Sequence, residues 1–330
     1  MPLRDHDRAA LAAVLADAGF VAAEEEADEL LARAGSDREL LAALVARRLT
    51  GEPLAWITGS VEFCGLEIRV DPGVYVPRWQ SELLARRAVE RLPAAGMAID
   101  LCTGSGAIAK TLLARRPGAR VVASDVDERA VACARANGVD AHRGDLFAPL
   151  SAELEGRVDV VVGAVPYVPT PELGLLQRDT LTFESLLAYD GGADGTALLR
   201  RVVTEAPRFL RPGGALLLEL GAGQPDALRD DLARLGYGDV TVLVDDDGDV
   251  RGIEATRGED AGSGSPMASF SRARLHEIRR AGPALRRLVV RVQQRAAPHR
   301  QAAAADAARE AAADRLERRD ANVELLAPVA

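Results

Sequence analysis

Aromatic residues are scarce in this chain of 330 residues: Phe, Trp and Tyr together make up 4% of it. Hydrophobic residues nevertheless account for 48%, so the core has to be built mainly from Ala, Val and Leu. A chain of this length usually forms about two domains of roughly 150 residues each. The composition therefore predicts a globular protein with an aliphatic core.

Cysteine and histidine are also few and widely spaced. The three cysteines, Cys64, Cys102 and Cys133, show neither a zinc-binding spacing nor a disulfide framework, and the four histidines are scattered. Because metal sites need clustered ligands, we predict that the protein holds no metal. Isolated cysteines, odd in number, favour a reducing compartment, so we predict a cytoplasmic location.

Long apolar runs are missing as well. No run approaches the ~20 residues that span a membrane, and no signal peptide opens the chain. The formal net charge is −9; residues 261–330 hold 13 arginines and seven acidic residues, which leaves −15 on the first 260. Phosphate binding requires a positive surface. We therefore expect no membrane association and no direct nucleic-acid binding by the main body.

Residues 1–55 have the pattern of short helices. Leu11, Val14 and Leu15 have helical spacing, and residues 36–39, Ser-Asp-Arg-Glu, form a capping box in which Ser36 caps a helix with Leu40 on its apolar side. No obvious catalytic group lies here. We predict a small helical domain that binds a partner.

Residues 56–78 predict a β-hairpin that links this domain to the rest of the chain. Two short alternating runs lie at 61–63 and 66–70, with Cys64-Gly65 between them. A turn follows at 71–73, Asp-Pro-Gly.

Residues 79–257 alternate between strand and helix patterns. Such alternation predicts an α/β fold with a parallel sheet covered by helices on both faces, and ligands at the carboxyl ends of its strands. The predicted strands are 97–102, 120–124, 158–163, 215–220, 240–244 and 252–256, and the predicted helices are 106–115, 127–137, 196–209 and 226–235.

Residues 258–330 differ in composition from everything before them. A linker rich in Gly and Ser, 258–266, leads into an arginine-rich stretch and then an alanine-rich one. An apolar stripe between Leu275 and Val292 is interrupted by Gly282-Pro283. We assign no fold to this tail.

The strongest motif is the glycine turn at 100–107, Asp-Leu-Cys-Thr-Gly-Ser-Gly-Ala. It follows a predicted strand and opens a predicted helix, whose N-terminus favours an anion. Asp125 ends the next strand, where an acid can accept hydrogen bonds from both ribose hydroxyls of an adenosine. The three-glycine fingerprint of dinucleotide enzymes is incomplete, because Cys102 replaces its first glycine.

An adenosine with a small anionic end therefore fits better than a dinucleotide, and we predict S-adenosylmethionine as the cofactor. Its carboxylate would bind the turn, its ribose Asp125, and its adenine the region of Asp145 and Leu146. The predicted cofactor site consists of Asp100, Cys102, Thr103, Gly104, Ser105, Gly106, Asp125, Asp145 and Leu146.

From its start to about Arg257 the chain resembles the protein N5-glutamine methyltransferases that modify peptide chain release factors. Residues 52–59, Glu-Pro-Leu-Ala-Trp-Ile-Thr-Gly, match that family at the start of the hairpin. Residues 76–82, 190–195 and 210–214 resemble three further family segments, with Trp79-Gln80-Ser81 in place of Pro-Glu-Thr. The resemblance implies a helical domain that binds the release factor, a hairpin linker and a class I S-adenosylmethionine-dependent methyltransferase domain with a Rossmann-like sheet.

The substrate motif of that family is Asn-Pro-Pro-Tyr, and its counterpart here is Ala164-Val165-Pro166-Tyr167. An amide nitrogen is a poor nucleophile, because its lone pair is delocalised into the carbonyl. By the resemblance, the asparagine oxygen and the next carbonyl accept the amide's N–H bonds and orient it. Ala164 lacks that side-chain acceptor, Val165 keeps its carbonyl, and Tyr167 can pack against the amide.

Two alternatives stay open at this point. One is a methyltransferase that acts on another acceptor, such as an adenine amino group or a small molecule. The other is a pseudo-enzyme that binds the cofactor and docks through its helical domain. Ala164 and Cys102 favour the pseudo-enzyme, whereas the glycine turn and Asp125 argue against it.

Overall fold

A computed structural model describes residues 5–176 and 178–259. Within them the chain begins with four helices: α1 (Asp5–Asp17), α2 (Ala23–Ala34), α3 (Arg38–Leu49) and the short α4 (Leu54–Thr58). They bury a small core of their own, formed around Leu15, Leu30, Leu44 and Ile57. Arg48 pairs with Glu26 at 2.6 Å and joins α3 to α2.

Three details of the helical prediction are wrong. The side chain of Asp37, not Ser36, caps α3 by accepting a hydrogen bond from the Leu40 amide at 2.9 Å. Leu40 and Val14 are exposed rather than part of the apolar side. Leu40 and Val14 each lie one position before a residue that does pack on the helical core, Leu41 and Leu15. One step along a helix turns a side chain by about 100°, which is enough to expose it.

The predicted hairpin is present as the antiparallel pair β1 (Ser60–Phe63) and β2 (Leu66–Arg69). Cys64 and Gly65 form the turn, both with positive φ. Residues 56–58, expected at the start of the hairpin, instead belong to α4. The indole N–H of Trp56 donates to the carbonyl of Val74 at 2.9 Å and ties α4 to the segment after the hairpin.

One sheet of seven strands forms the centre of the described chain, in the order β5-β4-β3-β6-β7-β9-β8. The first five are parallel, as predicted, whereas β9 pairs antiparallel with both β7 and β8. The strands are β3 (Met97–Leu101), β4 (Arg120–Asp125), β5 (Asp140–Arg143), β6 (Val158–Gly163), β7 (Leu210–Glu219), β8 (Tyr237–Val244) and β9 (Val250–Arg257).

Helices cover both faces of this sheet. Alternate strand residues therefore enter two separate cores: Val161 and Leu218 belong to one, Val162 and Leu217 to the other. The helices are α5 (Glu82–Arg91), α6 (Ala107–Arg115), α7 (Glu128–Ala136), α8 (Arg178–Phe183), α9 (Ala197–Phe209) and α10 (Gln224–Arg234).

Almost all of the tail assigned to 258–330 lies outside the described residues, which end at Glu259. Among the helices that are described, none is both long enough and apolar enough to cross a membrane.

Candidate active site

A cavity of about 410 Å³ opens at the carboxyl ends of the parallel strands. β3 lies between β4 and β6 in the sheet. The chain therefore leaves β3 toward one side of the sheet and continues from β6 toward the other side, which opens a crevice between the two connections. Ligands of open α/β sheets bind at such a crevice. Twelve of the thirteen predicted site residues line the cavity, and only Gly106 does not.

The glycine turn after β3 explains this difference. Gly104 and Gly106 both have positive φ, 56° and 82°. A Cβ at Gly104 would meet nothing within 4 Å, whereas a Cβ at Gly106 would lie 3.0 Å from Val139 and 3.2 Å from the backbone of Ala134. Gly104 therefore leaves open space beside the cavity, and Gly106 lets α6 pack closely against α7.

Cys102, in the same turn, has a φ of 54°. It adopts the left-handed conformation that glycine would adopt without strain. Burial and the nearby carboxylates raise the pKa of its thiol. The sulfur therefore stays neutral, and Cys102 is part of the cavity wall rather than a nucleophile.

Asp100 lies at the floor of the cavity with 1% of its surface exposed. Its Oδ2 accepts hydrogen bonds from the Thr103 hydroxyl at 2.6 Å and the Ala109 amide at 3.2 Å. Oδ1 is buried and accepts none from the described residues. Burial raises the pKa of Asp100 to about 7, although both hydrogen bonds oppose the rise. A donor or cation supplied by a ligand would satisfy Oδ1.

Asp125, at the end of β4, is held by the backbone on both oxygens. Oδ2 accepts from the Gly104 amide and Oδ1 from the Asp127 amide, each at 2.9 Å. Burial raises its pKa, and these bonds oppose the shift. Each oxygen keeps a further lone pair, so the carboxylate is oriented for two neighbouring hydroxyl groups.

Asp145 and Leu146 follow β5 and also line the cavity. The carboxylate of Asp145 is already engaged by Arg201, with N–O distances of 2.9 and 3.1 Å. Leu146 has a φ of 47°, and its carbonyl accepts a hydrogen bond from Ser124 at 2.7 Å. This wall is fixed before any ligand binds.

The segment after β6 forms the opposite wall. Ala164, Val165, Pro166 and Tyr167 all line the cavity, and Val165 is buried. The carbonyl of Tyr167 accepts a hydrogen bond from the amide of Gln224 at 2.8 Å, and the Tyr167 hydroxyl donates to Oε1 of Glu219 at 3.1 Å. The aromatic ring is thus anchored at both ends.

The sequence prediction missed Glu219, Ser81 and Tyr75, which also line the cavity. Glu219 had a visible signal, because it is the only acid in the apolar run 215–220. The only signal for the other two was their position, Ser81 within the segment 76–82 and Tyr75 directly before it.

Arg78 fastens a second segment over the cavity. Its guanidinium donates to Glu184 at 2.8 Å and to the Tyr189 hydroxyl at 3.1 Å. The Glu184 side chain is almost fully buried in this ion pair. Residues 184–189 are therefore tied to the segment that follows the hairpin. No cluster of three potential metal ligands occurs among the residues that the structure describes.

Comparison with known proteins gives a consistent set of relatives. Residues 66–167 match the model of the methyltransferase small domain. The release factor glutamine methyltransferase of Geobacter sulfurreducens is 39% identical over 211 residues, 62% of this chain and 73% of that protein. That of Neisseria gonorrhoeae is 40% identical over 227 residues, 67% of this chain and 80% of that protein.

A solved structure of a protein-(glutamine-N5) methyltransferase, specific for release factors, from Alicyclobacillus acidocaldarius is 27% identical to the chain. The match covers 56% of this chain and 94% of that one, with a TM-score of 0.36.

Proposed function

The chain belongs to the release factor glutamine methyltransferase family and has the class I S-adenosylmethionine-dependent methyltransferase fold. From this premise we propose that it methylates the side-chain amide nitrogen of a glutamine in a peptide chain release factor. The observation that carries the proposal is that one and the same cavity has the glycine turn and Asp125 on one wall and residues 164–167 on the other.

The first wall fits S-adenosylmethionine. The cofactor supplies an electrophilic methyl group on a sulfonium. We assign its ribose to the oriented carboxylate of Asp125, its carboxylate to the amides of the turn, and its adenine to the side of Asp145 and Leu146. The unpartnered Oδ1 of Asp100 suits the ammonium group of the same amino acid, and the open space at Gly104 leaves room for it.

The second wall fits a planar amide. The proposed role of Val165 is to accept one amide N–H through its carbonyl, and that of Tyr167 is to pack its anchored ring against the amide plane. Ala164 contributes only backbone and a methyl group. Orienting the nitrogen in line with the methyl group supplies a large part of the rate.

The substrate is a protein in this proposal, and residues 1–55 help to bind it. The hairpin region 56–78 links them to a methyltransferase domain at 79–257. Three exposed apolar side chains support a protein partner. Leu187, which lines the cavity, is 74% exposed. Leu175 and Trp79, which are close in sequence to lining residues, are 81% and 62% exposed. The acidic body favours a protein over a nucleic acid, and such a substrate places the enzyme in the cytoplasm.

The proposal is tested by incubating the protein with labelled S-adenosylmethionine and a candidate release factor, and mapping the modified residue by mass spectrometry. We expect label on one glutamine, and none on a release factor in which that glutamine is replaced by alanine. Cofactor binding without label on any release factor would contradict the proposal and favour the pseudo-enzyme. Label on an adenine or a small molecule instead would favour the other acceptor.

A further inference from the structure

Glu219 lies beside Ala164 on the neighbouring strand. Gly163, the last residue of β6, pairs with Leu218 of β7, so Ala164, the first residue beyond β6, comes next to Glu219, the last residue of β7. Ala164 packs on the same core as Val162 and Leu217. Because side chains alternate along a strand, Glu219 emerges on the face of Leu217, the face of Ala164. Neighbouring strands are only about 4.8 Å apart.

The carboxylate of Glu219 has one engaged oxygen and one free one. Oε1 accepts the hydrogen bond from Tyr167. Oε2 is buried and accepts no hydrogen bond from the residues that the structure describes. The residue is 6% exposed and lines the cavity. A buried acceptor without a partner is unfavourable, so Oε2 is suited to a donor that arrives with a ligand.

The amide of a bound glutamine is such a donor. It carries two N–H bonds, and the role proposed above for the wall at 164–167 uses one acceptor, the Val165 carbonyl. We propose that Oε2 of Glu219 is the second acceptor: it orients the amide nitrogen in place of the side chain that Ala164 lacks. This inference rests on the function proposed above and assigns the residue that makes it possible.

The methyl transfer is balanced with Glu219 in this role. A bond forms between the amide nitrogen and the methyl carbon, and the bond from sulfur to that carbon breaks with its electron pair left on sulfur. The nitrogen then has one proton too many, which passes along its hydrogen bond to Oε2. Glu219 returns that proton to water when the methylated release factor leaves.

The surroundings of Glu219 suit a proton acceptor. Burial raises its pKa, while the neighbouring hydroxyls of Ser81 and Tyr167 and the charge of Arg251 oppose the rise. The charge of Glu219 acts on two tyrosines, Tyr75 and Tyr167, and burial raises the pKa of both. Both tyrosines therefore stay neutral where Glu219 titrates.

The test compares single-turnover methylation of a release factor at saturating S-adenosylmethionine. Glu219→Gln keeps an oxygen for Tyr167 and places an N–H₂ group where Oε2 was. We expect its rate to fall roughly 100- to 1000-fold, the usual loss for an orienting group of this kind, with unchanged cofactor affinity in calorimetry. Glu254→Gln is the matched control, because it neutralises a buried carboxylate on β9 that does not line the cavity. It should keep the wild-type rate.

Two further readouts separate the proposed role from mere support of Tyr167. In an Ala164→Asn background the asparagine supplies an acceptor, so Glu219→Gln should cost at least about 10-fold less there. The wild-type rate should fall as pH drops through the raised pKa of Glu219, because the protonated acid cannot accept the proton. Glu219→Gln should lose this pH dependence, and Glu219→Asp should retain it.

A Glu219→Gln variant with the wild-type rate would overturn the role of Glu219 and leave the proposed function standing. Equal penalties in both backgrounds, with the acidic limb still present in Glu219→Gln, would do the same, because Glu219 would then only hold Tyr167. A wild-type protein that binds cofactor but leaves every release factor unmodified would overturn both proposals. This measurement on the wild type is made before any variant is tested.

Discussion

The carboxylate of Asp125 is fixed by two backbone amides, from Gly104 and Asp127, without any ligand. A group that is already oriented loses little entropy when it binds. We therefore expect Asp125→Ala to weaken S-adenosylmethionine binding by about 1.5–3 kcal/mol, roughly 10- to 150-fold, through loss of charge-assisted hydrogen bonds. Titration calorimetry measures this directly.

Asp125→Asn provides the matched control, because its amide keeps one oxygen in a side chain of the same shape. It should lose less affinity than Asp125→Ala. If all three proteins bound the cofactor equally, Asp125 would have no place in the cofactor site.

At the scale of residues, the sequence predicted those parts of the site that are contiguous along the chain. Residues 100–106 and 164–167 could be read as motifs, and all but Leu101 and Gly106 line the cavity. Glu219 was missed because its relation to Ala164 arises from strand register, more than 50 positions apart in sequence. The engagement of Asp145 by Arg201 was missed because the two residues are 56 positions apart and meet only where α9 lies near the end of β5.

At the scale of elements, the glycine turn and the two helices around it, α6 and α7, offer a paired experiment. Gly106→Ala would force a left-handed backbone on alanine and press its Cβ against α7. Left-handed φ alone costs about 1–2 kcal/mol, so we expect a loss of about 2 kcal/mol or more in the free energy of unfolding in urea. Its cofactor affinity should change less than its stability.

Gly104→Ala is the counterpart, because its Cβ would meet no protein atom within 4 Å. We expect only the backbone cost of about 1 kcal/mol in stability but a clear loss of S-adenosylmethionine affinity. Equal effects of the two substitutions on stability and on binding would show that the two glycines do not have separate roles.

Element positions were predicted better than strand direction. The prediction 158–163 coincides with β6, and the helices predicted at 127–137 and 196–209 end within one residue of α7 and α9. The antiparallel pairing of β9 was not predicted, because a strand has the same side-chain period in either direction. No helix was predicted at Glu82–Arg91, where the structure has α5, although Leu84, Ala85 and Ala88 form an apolar face there.

At the scale of the whole molecule, Asp100 links the stability of the fold to pH. Its pKa is about 7 in the folded protein against an ordinary value of 3.8, so the folded state holds this proton where the unfolded chain has released it. Stability from this group is complete below about pH 4 and decreases as pH rises to about 7. The full difference is on the order of 4 kcal/mol.

We therefore expect Asp100→Asn to remove this component. The free energy of unfolding, measured in urea at pH 5 and pH 8, should fall more between these two values in the wild type than in the variant. All other titrating groups are common to both proteins, so their effects cancel. Parallel pH profiles for the two proteins would show that Asp100 does not hold its proton in the fold.

The two outer strands of the central sheet have a consequence for association. β5, at one edge, has only four residues, and Asp140, His142 and Arg143 carry polar groups along it. β8, at the other, is interrupted by register shifts and by Asp239 with a φ of 47°. Short, charged or bulged edges resist the addition of a foreign strand. Both edges therefore discourage pairing with a strand of another chain, which leaves the helices and loops of the described residues as the surfaces for binding other proteins.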